Sequence, residues 1–221
     1  MSTYVTEEEQ IEQIKKWWSK HGNTISTIVL ILVVCFAGYR YWQWHNQKVS
    51  IQASSLYEQM LVAYTNQDNK ALVSRANKLV ENHQGTVYGD AANLTLAKVA
   101  TEKKSYDQAV SRLNAVIKNN KNSALTQIAK LRLARVLVAQ KNYQSALNAI
   151  GTISNDSYRP LVSELRGDIY SAMGEFEKAK VAYEDALSTT RKQNVGNLFL
   201  EMKSNDVARL QLSEQASIKT V

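Results

Sequence analysis

The sequence is poor in the residues that interrupt helices or crosslink a chain. Among its 221 residues it has one proline, Pro160, and one cysteine, Cys35. A lone cysteine excludes a disulfide within the chain, and because Cys35 lies in an apolar segment it says nothing about the redox compartment. No stretch shows sustained alternation of apolar and polar residues between turn residues, so we expect no sheet. The sequence predicts an all-α fold.

Residues that build catalytic or metal sites are equally sparse. There are three histidines, His21, His45 and His83, and two of them flank the apolar segment. The sequence has no glycine-rich phosphate loop, no Cys/His metal spacing and no nucleophile elbow. Carboxylates such as Glu184 and Asp185 lie in helical context, where a solvated face explains them. We therefore expect no enzyme activity, no cofactor, no metal and no small-molecule substrate.

Charge is absent from one long stretch near the N-terminus, residues 22–39. As a helix, these 18 residues would span about 27 Å, close to the hydrocarbon thickness of a bilayer. Rings that favour the boundary between water and lipid flank the stretch on both sides. They are Trp17, Trp18, Tyr39, Tyr41, Trp42 and Trp44, and they include all four tryptophans of the chain. This arrangement predicts a transmembrane helix over 22–44 that these aromatic residues anchor in membrane lipid.

Two cleavage-like patterns compete with a permanent anchor. Cys35-Phe36-Ala37 offers small residues at a signal-peptidase-like spacing, and Leu32–Cys35 is similar to a lipoprotein box, although Val34 is bulkier than that box prefers. The leader would be long and would carry Glu7, Glu8, Glu9 and Glu12, whereas signal peptides are normally basic. A retained anchor is the better interpretation.

The charges beside the apolar segment favour a cytoplasmic N-terminus. Lys15, Lys16 and Lys20 precede it, and Arg40 and Lys48 follow it. Three cations and the free amino group stand against two cations, and cytoplasmic flanks carry the excess of positive charge.

Residues 1–21 are predicted to form a cytoplasmic tail with a short amphipathic helix. Thr6–Glu9 has the spacing of a capping box, and Ile11, Ile14 and Trp18 recur at helical spacing. The helix would lie at the inner membrane surface. The alternative is a plain extension of the transmembrane helix, broken at Gly22.

Three segments of the remaining domain, 45–221, share one pattern. They are YDQAVSRL (106–113), YQSALNAI (143–150) and FEKAKVAY (176–183). Each places an alanine three residues after an aromatic residue, and about a dozen residues earlier comes another small residue. The paired small residues are Ala97 with Ala109, Ala134 with Ala146, and Gly167 with Ala179. Small residues on both helices let an antiparallel pair approach closely, as in a helical-hairpin repeat.

The pattern resembles a tetratricopeptide repeat array. The best unit is 161–187, while 50–83 resembles a further hairpin and 195–214 a terminal capping helix. The early Trp and terminal Pro of that family are missing, so the repeats are degenerate. The resemblance implies an α-solenoid of helical hairpins with a concave face.

The layout of the whole chain also resembles a more specific family of proteins. IEQIKKWW before the membrane segment, YRYW at its exit, and LRLARV (131–136) and LRGD in the repeats resemble the YfgM-type ancillary subunits of the bacterial Sec translocon. The resemblance implies a single-pass inner-membrane protein with a periplasmic repeat domain. It also implies a scaffold that associates with the Sec translocon channel, with periplasmic chaperones of the PpiD type and with emerging secreted chains. The alternative is a regulator whose cytoplasmic tail sequesters a stress-response regulator.

Positive charge is concentrated in the middle of the repeat domain. The chain has a net charge of +7, and residues 98–141 contain ten Lys or Arg and two acidic residues. Nucleic acid is one interpretation of such a surface, but no recognition motif accompanies it and a periplasmic domain does not meet nucleic acid. An acidic partner protein or an anionic lipid head group fits better.

Aligning the units on Ala97, Ala134 and Gly167 predicts the residues of the concave face. Lys98, Arg135 and Asp168 lie one position further on, and Thr101, Val138 and Ser171 lie about one turn after them. Leu94, Leu131 and Glu164 lie one turn earlier. The predicted protein-binding residues are Leu94, Lys98, Leu131, Arg135, Glu164 and Asp168. We expect their face to be apolar and basic in its middle units and acidic in its last.

Overall fold

The structure, a computed structural model, describes residues 7–119, 122–192 and 197–219, and the side chains of residues 11, 12, 15–119, 122–190 and 197–213. In these ranges the chain forms nine α-helices, one 3₁₀ turn and no strand, which confirms the all-α prediction. The helices are α1 Glu7–Thr65, α2 Asn69–Asn82, α3 Val87–Glu102, α4 Tyr106–Asn119, α5 Ser123–Ala139, α6 Tyr143–Gly151, α7 Arg159–Ala172, α8 Phe176–Lys192 and α9 Leu198–Lys219, with the 3₁₀ turn at Asp156–Tyr158. The chain divides into two compact units, Met1–Gln52 and Ala53–Val221.

The first unit is built on the N-terminal part of α1. Lys15–Thr65 includes a stretch that is long and apolar enough to cross a membrane, and almost none of that stretch is buried. A core helix of a water-soluble domain would be covered on its apolar side. The six flanking aromatic residues of the predicted anchor are likewise more than half exposed. Their surfaces are available to lipid along the whole segment.

The helix passes through Gly22 without the break that the alternative interpretation placed there. The indole of Trp18 lies against this glycine, with Nε1 3.1 Å from the position that a Cβ would take. A glycine weakens a helix by only about 1 kcal/mol relative to alanine, which one such contact can offset. Ile11 and Trp18 are exposed. Thr6 of the predicted capping box and the side chain of Ile14 lie outside the described residues.

The second unit is a row of helical hairpins. The end of α1 from Ala53 pairs with α2, then α3 with α4, α5 with α6, and α7 with α8. The predicted anchoring residues Ala109, Ala146 and Ala179 are all fully buried. The predicted hairpin at 50–83 is present, and α9 is the expected capping helix, with Leu200 and Val207 buried against α8.

The four hairpin turns share one backbone geometry. Gln67, Lys104, Lys141 and Gly174 each have a positive φ, between 57° and 77°. In each turn the next N–H donates to a carbonyl five residues back, as from Ser105 to Ala100 at 2.8 Å. This is the helix-ending motif in which one left-handed residue satisfies the last free carbonyls. The second helix of each hairpin then begins two residues after this left-handed residue.

First and second helices differ in how much of their surface is covered. In α4 only Ala109, Leu113 and Val116 are buried, a narrow stripe. In α3 eight of sixteen residues are buried, because this helix packs against α2, α4 and α5. Exposed positions on α3 are therefore few, and they lie on one side.

Candidate functional site

A cavity of about 320 Å³ opens between the first helices of the two central hairpins. It brings together Lys98 of α3 and Arg135 of α5, as the alignment of the units predicted. The described residues that line it are Ala97, Lys98, Thr101, Glu102, Leu113, Arg132, Arg135 and Val136. The floor is apolar, and the charged groups stand at the rim.

Lys98 is held by a neighbouring hairpin. Its Nζ donates a hydrogen bond to the Tyr64 hydroxyl at 2.9 Å and lies 3.8 Å from the Glu102 carboxylate. The hydrogen bond and the electrostatic interaction with Tyr64, and after them the Glu102 charge, raise the pKa of Lys98. The ammonium is therefore charged at any physiological pH, but part of its bonding capacity is already used.

The two arginines at the rim are less engaged. Arg132 makes one long hydrogen bond, from Nη1 to the Leu94 carbonyl at 3.4 Å. For Arg135 no ion pair with another described side chain occurs within 4.0 Å. Both side chains are exposed. Two guanidinium groups thus stand over an apolar floor with their donors largely open.

The prediction that Leu94 and Leu131 line the open face is wrong. Leu94 is 6% exposed and packs in the core of the second hairpin, and Leu131 is 4% exposed in the core of the third. Each first helix is covered by the next hairpin along the row, so positions one turn before Lys98 and Arg135 are already inside. The binding roles of Lys98 and Arg135 themselves remain predictions.

The acidic end of the predicted face is occupied by the capping helix. Lys203 of α9 places Nζ 2.8 Å from Glu164 and 2.8 Å from Asp168. The Tyr183 hydroxyl also donates to Asp168, at 2.7 Å. The expected open acidic surface is therefore wrong, because a cation of the same chain already pairs with both carboxylates.

The electrostatics of this cluster follow from its partial burial. Burial alone would lower the pKa of Lys203, but hydrogen bonds to Asp168 and Glu164 outweigh it and raise the pKa. Burial, aided by the bond to Asp168, raises the pKa of Tyr183. The ammonium and the phenol therefore both keep their protons at neutral pH and act as donors within the cluster.

Sequence reasoning missed Arg132, Tyr64 and Lys203. Arg132 lies three residues before Arg135, so its place on the same helical face was visible in LRLARV. Tyr64 and Lys203 reach their partners from 34 to 39 residues away in sequence. Nothing in the local pattern indicates those pairings. Among the described residues, no three His, Cys, Asp or Glu side chains come together as a metal site.

Comparisons with known proteins agree with this architecture. The family model described as a tetratricopeptide repeat-like domain matches residues 15–209. A protein of Haemophilus influenzae named ancillary SecYEG translocon subunit is 32% identical over 186 residues, covering 84% of this chain and 91% of that protein. A relative of the same name from Escherichia coli K12 is 27% identical, and the match covers 94% of this chain and 100% of that protein.

One solved structure supports the fold alone. The crystal structure of MamA protein superposes with a TM-score of 0.59 at 16% identity, covering 76% of this chain and 86% of that one. The sequence relatives carry the family assignment, because they match at higher identity over most of the chain. The predicted family resemblance is thereby confirmed, and this chain belongs to the tetratricopeptide repeat-like family of ancillary SecYEG translocon subunits.

Proposed function

We propose that this chain is a non-enzymatic scaffold of the Sec translocon, held in the bacterial inner membrane by one helix. The observation that carries the proposal is the near-full-length match to relatives named ancillary SecYEG translocon subunit. The exposed apolar stretch of α1 supplies an anchor for such a role. The cavity between α3 and α5 offers side chains for binding but no nucleophile paired with a base.

The proposed partners are the translocon channel, a periplasmic chaperone of the PpiD type and emerging secreted chains. The repeat domain would lie in the periplasm and hold these partners at the exit of the channel. Tethering to the membrane raises the local concentration of a partner without new contacts. The aromatic residues at both ends of the apolar segment would fix its depth in lipid.

Photo-crosslinking in native membranes tests this function. A photoreactive amino acid at Lys98, on the cavity rim, should give adducts with the channel, the chaperone or a translocating chain. The same amino acid at Asn114, exposed on α4, is the matched control and should give far fewer. Adducts should rise when secretion is blocked with a stalled substrate. Absence of every Sec component from the adducts of both positions would refute the proposal.

A regulatory role of the N-terminal tail is the second candidate. Ile11 and Trp18 are exposed and lie at helical spacing on α1, so they offer an apolar face to a cytoplasmic protein. Deleting residues 2–14 separates the two roles. Sec crosslinks that survive the deletion while stress signalling changes would assign regulation to the tail and scaffolding to the repeat domain.

A further inference from the structure

We propose that the cavity between α3 and α5 binds an extended acidic protein segment that inserts one large apolar side chain. The segment would place its carboxylates on Arg132 and Arg135. This inference rests on the proposed scaffold function and names the chemistry that its partner presents. It shifts the centre of recognition from Lys98 and Arg135, which the sequence singled out together, to Arg135 and its neighbour Arg132 on α5.

The floor of the cavity is preformed. Ala97, Leu113 and Val136 are each 4% exposed or less, so the surrounding core fixes their positions. An apolar side chain entering such a site orders little of the protein, and this keeps the cost of binding low. The volume of about 320 Å³ is at the small end of ligand sites, and roughly half that volume suffices for a benzene ring. One Phe or Leu side chain therefore fits with room for part of its backbone.

The rim selects negative charge. The rim has three cations, Arg132, Arg135 and Lys98, and one carboxylate, Glu102, so its net charge is about +2 by this count. Lys98 already donates to Tyr64 and lies near Glu102. The guanidinium groups have open donors, and a guanidinium presents two parallel N–H groups that match a carboxylate. Arg132 and Arg135 are three residues apart on one helix and so lie on the same face.

The apolar floor and the arginines at the rim together favour a peptide over a free anion. Inorganic phosphate would meet the guanidinium groups but leave the apolar floor unfilled. A segment with an apolar residue between acidic residues satisfies both parts of the site at once. An anionic lipid has a related chemistry, and the experiment below includes it as a competitor.

The test measures binding of a fluorescein-labelled peptide, GSDEFDEGSG, to the full chain in detergent micelles by fluorescence anisotropy. Replacing Phe by Ala, or every acidic residue by its amide, should each weaken binding about tenfold. Arg132→Gln with Arg135→Gln should weaken binding of the original peptide by a similar factor. Raising the salt from 50 to 500 mM should also weaken it, since both partners are exposed.

The matched control is Lys104→Gln with Lys141→Gln. These lysines are exposed, belong to the turns of the same two hairpins and change the net charge equally. The control should change binding less than twofold. Equal losses in both double variants would overturn the site, because they would show general attraction to a basic protein.

A second pair of variants tests the floor. Thr101→Phe fills the cavity, whereas Thr95→Phe adds the same volume to a residue of α3 outside it. Only the first should abolish peptide binding while helical content is kept. Displacement of the peptide by phosphatidylglycerol micelles at matched charge would overturn the peptide assignment in favour of lipid. Because these measurements use a peptide in detergent, their failure leaves the crosslinks to Sec components unaffected, so the two proposals fail separately.

Discussion

At the scale of single residues, the size of one side chain sets how closely two helices approach. A Cβ added at Gly167 of α7 would lie 2.5 Å from Cε1 of the Tyr183 ring on α8. Tyr183 is 3% exposed, and its hydroxyl is bound to Asp168, so the ring has little room to move. The glycine is required here by the close approach of the ring.

Gly167→Ala should therefore destabilise the repeat domain. Added volume at a packed contact costs typically about 1–3 kcal/mol, which corresponds to a fall in Tm of a few degrees for a unit of this size. Thermal melting followed by circular dichroism measures the change. Gly151→Ala is the control, because a Cβ there meets nothing within 4 Å, and its Tm should stay unchanged or rise slightly. Equal Tm values for the two variants would show that Tyr183 yields without cost.

The sequence predicts these small residues well and the surface residues poorly. Ala97 and Ala134 recur at a fixed distance from Ala109 and Ala146, and periodicity alone is enough to place them inside. Leu94 and Leu131 were assigned to the surface because they lie one turn from charged residues. Their burial depends on how far the next hairpin overlaps the helix, and this is a tertiary quantity that no local pattern contains.

At the scale of elements, α9 closes the last hairpin with apolar contacts and one cation. Leu200 and Val207 pack against Ala186 and Leu187 of α8. Lys203 reaches past α8 to Glu164 and Asp168 of α7, and its side chain is only 23% exposed. The capping helix is thus fixed to both helices of the hairpin.

Lys203→Met should loosen this closure in a pH-dependent way. The pKa of Lys203 is raised in the folded chain, so its stabilisation is fully present below the unfolded pKa of about 10.4 and is lost as pH rises through the folded pKa. The variant leaves two partly buried carboxylates without their cation, a loss of about 1–3 kcal/mol at pH 8. The gap in Tm between wild type and variant should shrink between pH 8 and pH 11.

Lys178→Met provides the comparison for that measurement. Lys178 also lies 2.8 Å from a carboxylate, that of Glu175, but its side chain is 62% exposed. An exposed pair contributes little, so this variant should melt close to wild type at both pH values. A Lys203→Met gap that stays constant up to pH 11 would assign the effect to packing and not to charge.

Most helices were predictable from sequence, and their turns were not. Gly174 indicates a left-handed turn because glycine adopts positive φ without strain. Lys104 and Lys141 adopt the same geometry with an ordinary side chain, so nothing in their identity marks the turn. The ion pairs of α9 could not be predicted for a similar reason. Lys203 lies near Glu164 and Asp168 only in the folded domain, where α9 packs on the last hairpin.

At the scale of the whole molecule, the repeat domain is held together mainly by neighbours in the chain. Each helix of the row packs on the next. The first helices of successive hairpins also contact each other, α3 with α5 and α5 with α7. In such rows the stability is close to a sum over units and their interfaces. The cavity lies where two first helices meet, so its shape depends on the two central hairpins and little on the ends.

The orientation of the chain in the membrane is predicted from the lysines that precede the apolar segment. A reporter that is active only in the periplasm, fused after Val221, should be active, and a cytoplasm-only reporter at the same place should be silent. The excess of positive charge on the N-terminal side is the physical reason. The reverse pattern of reporter activity would place the repeat domain in the cytoplasm and remove the basis for periplasmic partners.

The shared geometry of the four turns limits how such a chain can change in length. One residue inserted in the turn at Lys104 or Lys141 would disrupt the pattern in which the N–H next to the left-handed residue bonds to the carbonyl five residues back, and would displace the start of the second helix. A whole hairpin inserted between two others has its own left-handed turn residue, so the turns within the other hairpins keep their geometry. Duplication or loss of complete hairpins is therefore the change in length that this architecture tolerates, and the cavity is kept as long as the change falls outside the two central hairpins.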